Sequence, residues 1–135
     1  MVKEIKLFSL LVFVMILLSA CGELKEESQP TLLVPTDVQS IFNDQCVGCH
    51  SGSSPAGSLN LSVGNAYTQL INVTSTIEPT LKRVVPSDTA NSYLVDKIMG
   101  TQTVGERMPD GGPYLSAAQM NIIKLWIQTG AEARP

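Results

Sequence analysis

Thr36-Asp-Val-Gln-Ser-Ile-Phe-Asn-Asp-Gln-Cys-Val-Gly-Cys-His50 is the stretch that decides how this chain is read. Val38, Ile41, Phe42 and Gln45 recur at the three-to-four spacing of a helix with one face turned inward. Thr36-Asp-Val-Gln39 has the pattern of a capping box that would start that helix. It runs directly into Cys46-Val-Gly-Cys49-His50. On a helix, residues three and four apart are neighbours, so Cys46, Cys49 and His50 would project two thiols and an imidazole from one face. Residues 51–62 are rich in Gly and Ser and read as a loop, with Leu59-Asn60-Leu61 as a brief candidate strand inside it.

C-x-x-C-H is the attachment pattern of a c-type haem, and the other chemistries of C-x-x-C fit less well. Structural zinc takes four thiolate or imidazole ligands. Apart from Cys21, the chain offers only Cys46, Cys49 and the single histidine, His50. A thioredoxin-like pair needs a βαβ setting, whereas a helical pattern precedes this motif and Gly and Ser follow it. A simple disulfide in an oxidising compartment is the remaining alternative. The expected cofactor is one haem c, bound through thioethers to Cys46 and Cys49, with His50 as the proximal iron ligand.

With one histidine, the distal ligand falls to methionine. Beyond residue 20 there are three: Met99, Met108 and Met120. Met120 is in phase with Ile123 and Ile127 on a helical pattern, which makes it a core residue. Met99 ends another helical stretch, in register with Val95, and is a rival. Met108 lies in Gly105-Glu-Arg-Met-Pro-Asp-Gly-Gly-Pro113, where proline and glycine impose loop structure and leave the thioether no helix face to pack into. Met108 is therefore the expected distal ligand. A site filled by two protein ligands suits electron transfer better than substrate chemistry.

Working outward, Met1–Lys6 is a basic start, residues 7–18 are apolar but for Ser9, and small residues follow at Ser19-Ala20. This is signal-peptide anatomy, too short for a comfortable membrane span. Leu18-Ser-Ala-Cys21 resembles the lipobox of bacterial lipoproteins, which implies acylation of Cys21 and a lipid anchor in the membrane. Residues 21–35 are polar at first, contain two prolines and read as a tether of at most about 50 Å. The expected organisation is a signal peptide over 1–20, an acylated tether over 21–35 and one folded domain over 36–131. The location would be the cell envelope, facing the periplasm or the exterior.

The net charge is -3, and with Lys3, Glu4 and Lys6 (together +1) removed it is -4. The basic residues are scattered singly except for Lys82-Arg83, so there is no basic patch for nucleic acid. No nucleophile, acid–base dyad or phosphate loop suggests an enzyme acting alone.

Three further helices are predicted. One covers about Asn65–Asn72 with Tyr67, Leu70 and Ile71 inward, and one covers Ala90–Met99, stopped by Gly100. The last starts at a Ser116-Ala-Ala-Gln119 capping box and ends at Gly130. The fold class is all-α, with about four short helices and long loops. The helix entering Cys46-x-x-Cys-His50, Val85-Pro-Ser-Asp88 with Asn91-Ser-Tyr-Leu94, Arg107-Met-Pro109, and Ile123-x-x-Trp-Ile-x-x-Gly-Ala131 together resemble class I cytochrome c domains, particularly the planctomycete-type variety. The resemblance covers nearly all of Thr36–Ala131. It implies the cytochrome c fold, with first and last helices crossing beside the haem, and Met108 as distal ligand. Trp126, Tyr67 and Tyr93 are candidates to touch the haem or to pack in the core. The function expected is one-electron transfer with redox partner proteins at a membrane surface. A gas-binding haem sensor and an electron-entry subunit of a membrane-associated oxidoreductase complex are the alternatives.

Overall fold

The helix predicted before the cysteines forms as α1, Thr36–Gln45, and buries Val38, Gln39, Ile41 and Phe42. The computed structural model describes residues 31–134. Three more α-helices follow: α2 at Ala66–Leu70, α3 at Tyr93–Met99 and α4 at Ala117–Gln128, with a single 3-10 turn at Ala56–Ser58. Extended pairing among the described residues is confined to isolated bridges. The described part is helical and without strands, an all-α arrangement. None of its helices is long and apolar enough to cross a membrane. The proposed signal segment and Cys21 lie outside the described residues.

The first and last helices pack together, and α3 packs on α4. Their shared core includes Val38 and Phe42 from α1, Leu70 from α2, Ile123 and Ile127 from α4, and Leu61 and Val84 from the connecting segments, all at most 2% exposed. Burying an aliphatic or aromatic side chain of this size contributes about 1.5–3 kcal/mol. The contact between α1 and α4 is thus the main apolar support of the segment that delivers the cysteines.

Helix boundaries follow local hydrogen bonding. At α4 the Ser116 hydroxyl accepts from the Gln119 amide and the Gln119 side chain accepts from the Ser116 amide, the reciprocal box expected. At α1 it does not form: the N-cap is Pro35, without a side-chain cap. The Gln39 side chain is instead buried, its Nε2 donating to Leu61 O at 2.9 Å and Asn43 Oδ1 at 2.9 Å. Helix α3 begins at Tyr93, three residues later than expected, because Asp88 accepts from the amides of Ala90 and Asn91 and holds them in a turn. Buried Ser92 ties that turn down by donating to Asp88 O and accepting from the Val85 amide. Gly100, in the left-handed region at φ 80°, stops α3 as predicted. Leu59–Leu61 is not a strand: the Leu61 amide donates to His50 O at 2.8 Å, and its side chain enters the core.

The ordered unit extends to both sides of 36–131. Leu33 and Arg134 exchange two backbone hydrogen bonds at 3.1 and 2.9 Å, and Val34 is buried. The segment read as tether therefore enters the folded unit at its last residues.

Candidate functional site

Helix α1 ends at Gln45, so Cys46–His50 lie in the hydrogen-bonded turns that continue it, not in a regular helix. The turns still gather the three side chains. The amides of Cys46 and Val47 donate to Phe42 O, and the amides of Cys49 and His50 donate to Cys46 O at 3.2 and 3.0 Å. Cys46, Cys49 and His50 all line one cleft of about 490 Å³. This is within the size range of cofactor pockets, and much of its lining is apolar, including Leu59, Leu61, Leu70, Leu94, Ile98 and Leu115.

The imidazole of His50 is oriented by its own chain. Its Nδ1 lies 2.9 Å from Ala56 O. A carbonyl oxygen only accepts, so Nδ1 carries the proton, and in the neutral ring the lone pair is then on Nε2. This is the usual arrangement of a metal-ligating histidine, whose second nitrogen donates to a carbonyl and fixes both tautomer and ring direction. Ala56 is held in turn by its amide, which donates to Cys49 O at 3.0 Å.

Cys46 and Cys49 are free, one half-buried and one exposed. Burial pushes the Cys46 thiol up to about 11. Redox-active C-x-x-C pairs work through a lowered thiol pKa, so the environment of Cys46 is the reverse of what a dithiol oxidoreductase requires. No group of three His, Cys, Asp or Glu side chains among the described residues is arranged to hold a bare metal ion.

Of the three candidate methionines, Met108 alone lines the cleft. Met99 is 41% exposed at the end of α3, and Met120 packs against the core. Met108 is strapped to α3: its amide donates to Lys97 O at 2.8 Å, Arg107 Nε donates to Ile98 O at 3.2 Å, and Lys97 Nζ donates to Glu106 O. Arg107 also stacks on Tyr114, 4.1 Å from the ring centre. Tyr93 lines the cleft from α3 and donates its hydroxyl to Val104 O at 2.7 Å, fastening the same loop further back. Trp126 is a core residue and Tyr67 a partly buried one packed against the core, both outside the cleft lining, and the Trp126 indole donates to Glu132 O.

Sequence reasoning passed over two basic residues of this cleft, Lys97 and Arg83. Lys97 lies on α3 with its ammonium 5.8 Å from the Tyr93 ring centre, and burial lowers its pKa. Of the adjacent pair Lys82-Arg83, Arg83 is only 7% exposed, while Lys82 is exposed. The signal available for Arg83 was its place beside Val84, an apolar neighbour that is fully buried.

No family model, curated protein or solved structure matches the chain.

Proposed function

We propose that the chain is a monohaem c-type cytochrome, a one-electron carrier with the cytochrome c fold, akin to the planctomycete-type class I domains. Cys46 and Cys49 would hold the haem through thioethers, His50 Nε2 would be the proximal ligand and Met108 Sδ the distal one. The observation that carries the reading is the meeting of these four side chains on a single cleft, with His50 Nδ1 committed to Ala56 O and its other nitrogen therefore free to ligate. The packing of the first helix on the last is what the cytochrome c fold requires. When bound, the haem supplies a one-electron iron couple.

The chain's own residues have supporting work. His50 is held in one tautomer by Ala56, and the apolar side chains of the cleft keep water from its interior. Met108 is kept at the cleft by the hydrogen bonds of its loop to α3. A thioether is a soft neutral donor, so Met108 together with His50 would raise the potential relative to harder ligand pairs. The strapping of Met108 favours a permanently filled site over the gas-binding alternative. Acylation at Cys21 would place the carrier at a bacterial membrane, facing the periplasm or exterior, where redox partner proteins dock. Two or more acyl chains give a stable anchor.

The test is expression of the full chain in cells with active haem-ligation machinery, followed by denaturation, extraction with acidified organic solvent and intact-mass measurement. The haem should stay on the polypeptide, and the mass should show both haem and acyl groups. Haem leaving with the solvent would refute covalent attachment, and an unacylated chain that keeps residues 1–20 would refute the lipoprotein reading.

A further inference from the structure

Arg83 is the one buried charged side chain of the cleft wall. Asp44, Glu106 and Asp110 on the same cleft are exposed, and Lys97 is half-exposed. The Arg83 guanidinium makes four hydrogen bonds: Nη1 donates to Gln69 O at 2.9 Å and to Gln69 Oε1 at 3.2 Å, and Nη2 donates to Gly57 O at 3.2 Å and Ser58 O at 3.0 Å. All four acceptors are neutral. They take up the N–H groups of both Nη atoms and pin the fork in place, but none cancels its charge.

The two carbonyls held by Nη2 belong to the Ala56–Ser58 turn, in which Gly57 and Ser58 both adopt positive φ. The first residue of that turn carries the oxygen that accepts from His50 Nδ1. The fixed cation is thus joined by two covalently adjacent residues to the hydrogen bond that orients the proposed iron ligand.

We propose that Arg83 sets the reduction potential of this site, raising it by holding in the wall of the cleft a positive charge whose partners in the chain are all neutral, an inference that rests on the haem reading above. Gaining an electron makes the site one unit less positive, so a nearby fixed cation favours the reduced form. Screening by salt is weak for a buried charge. The exposed carboxylates on the cleft are screened and cannot offset it to the same degree. Arg83 is in this sense a positioning and electrostatic residue that makes no bond to iron.

The test is an equilibrium redox titration of the full-length holoprotein and three variants, each first checked for haem that resists acid-solvent extraction. Arg83→Met removes charge and fork. Gln69→Glu keeps the fork and sets a carboxylate against it. Arg83→Lys keeps the charge and loses the fork. Arg83→Met is expected to lower the reduced-to-oxidised equilibrium constant at least tenfold, about 59 mV for one electron. Gln69→Glu should lower it in the same direction, while Arg83→Lys should stay within about threefold of the native protein, roughly 30 mV on the same scale. Arg83→Met and Gln69→Glu both remaining within that threefold would overturn the proposal. So would Arg83→Lys falling as far as Arg83→Met, because the residue would then act only as a clamp. If Arg83→Met does not fold, Gln69→Glu decides the matter alone. Haem lost to the solvent from the native chain would be a failure of the haem reading, separate from either result.

Discussion

Met108 and His50 are each held by a backbone atom outside their own motif. His50 is set by Ala56 O, and Met108 by Lys97 O, eleven residues back along the chain. Exchanging Met108 for Ala should therefore abolish the sulfur-to-iron charge-transfer absorption of the oxidised holoprotein and lower its potential. Met99→Ala and Met120→Ala should keep the band, although Met120→Ala would cost about 2 kcal/mol of stability through lost core packing. Survival of the band in Met108→Ala would transfer the distal role to another side chain. The type and spacing of Cys46, Cys49 and His50 were readable because the motif is contiguous. The place of Met108 on the same cleft agrees with its selection among three methionines by elimination and loop composition, a selection that concerned its ligand role. Arg83 was not readable, because its burial depends on acceptors in Gly57, Ser58 and Gln69, which are 26, 25 and 14 residues away.

Elements show the same division between local and long-range control. The α4 capping box was legible because both partners are within three residues of each other and nothing else competes for them. The same pattern at α1 does not form because the Gln39 side chain is turned inward, its amide group donating to Leu61 O, 22 residues on, instead of accepting at the helix start. The start of α3 was misplaced because the Asp88 turn captures the amides that a longer helix would have used. Its end was legible, and Gly100 carries more than a stop signal. A Cβ there would approach Arg107 Cδ to 2.8 Å at a φ of 80°, and Arg107 is the residue before Met108. Gly100→Ala should cost about 1–2 kcal/mol from left-handed backbone alone, and by displacing Arg107 it should also weaken the sulfur-to-iron band. Ser116→Ala is the useful contrast, since losing the cap costs about 1 kcal/mol at a helix start outside the cleft lining. Denaturant midpoints should fall in both variants, with the band weakened only in Gly100→Ala. Equal weakening in both would mean that the Met108 loop senses global stability and not its own anchor.

For the molecule as a whole, the cleft is also a gap in the core. Leu61 and Leu70, both nearly inaccessible to solvent, contribute to the lining of a cleft of about 490 Å³. A domain of about 100 residues buries a modest fraction of its surface and has little stability in reserve. An apolar group seated in that space would complete contacts that the polypeptide makes on one side only, and a group that binds only the folded chain stabilises it by linkage. Covalent attachment, as proposed, would make this support permanent, because the group could not dissociate on dilution. The double exchange Cys46→Ala/Cys49→Ala should therefore yield a chain that melts at lower temperature and over a broader range than the holoprotein, as followed by far-ultraviolet circular dichroism. Helix α4, with its own capping box and its packing on α1, should be the element that survives longest. A sharp transition at the holoprotein temperature in the double variant would show that α1, α3 and α4 suffice to fold the domain, leaving the cleft a binding site with no structural share.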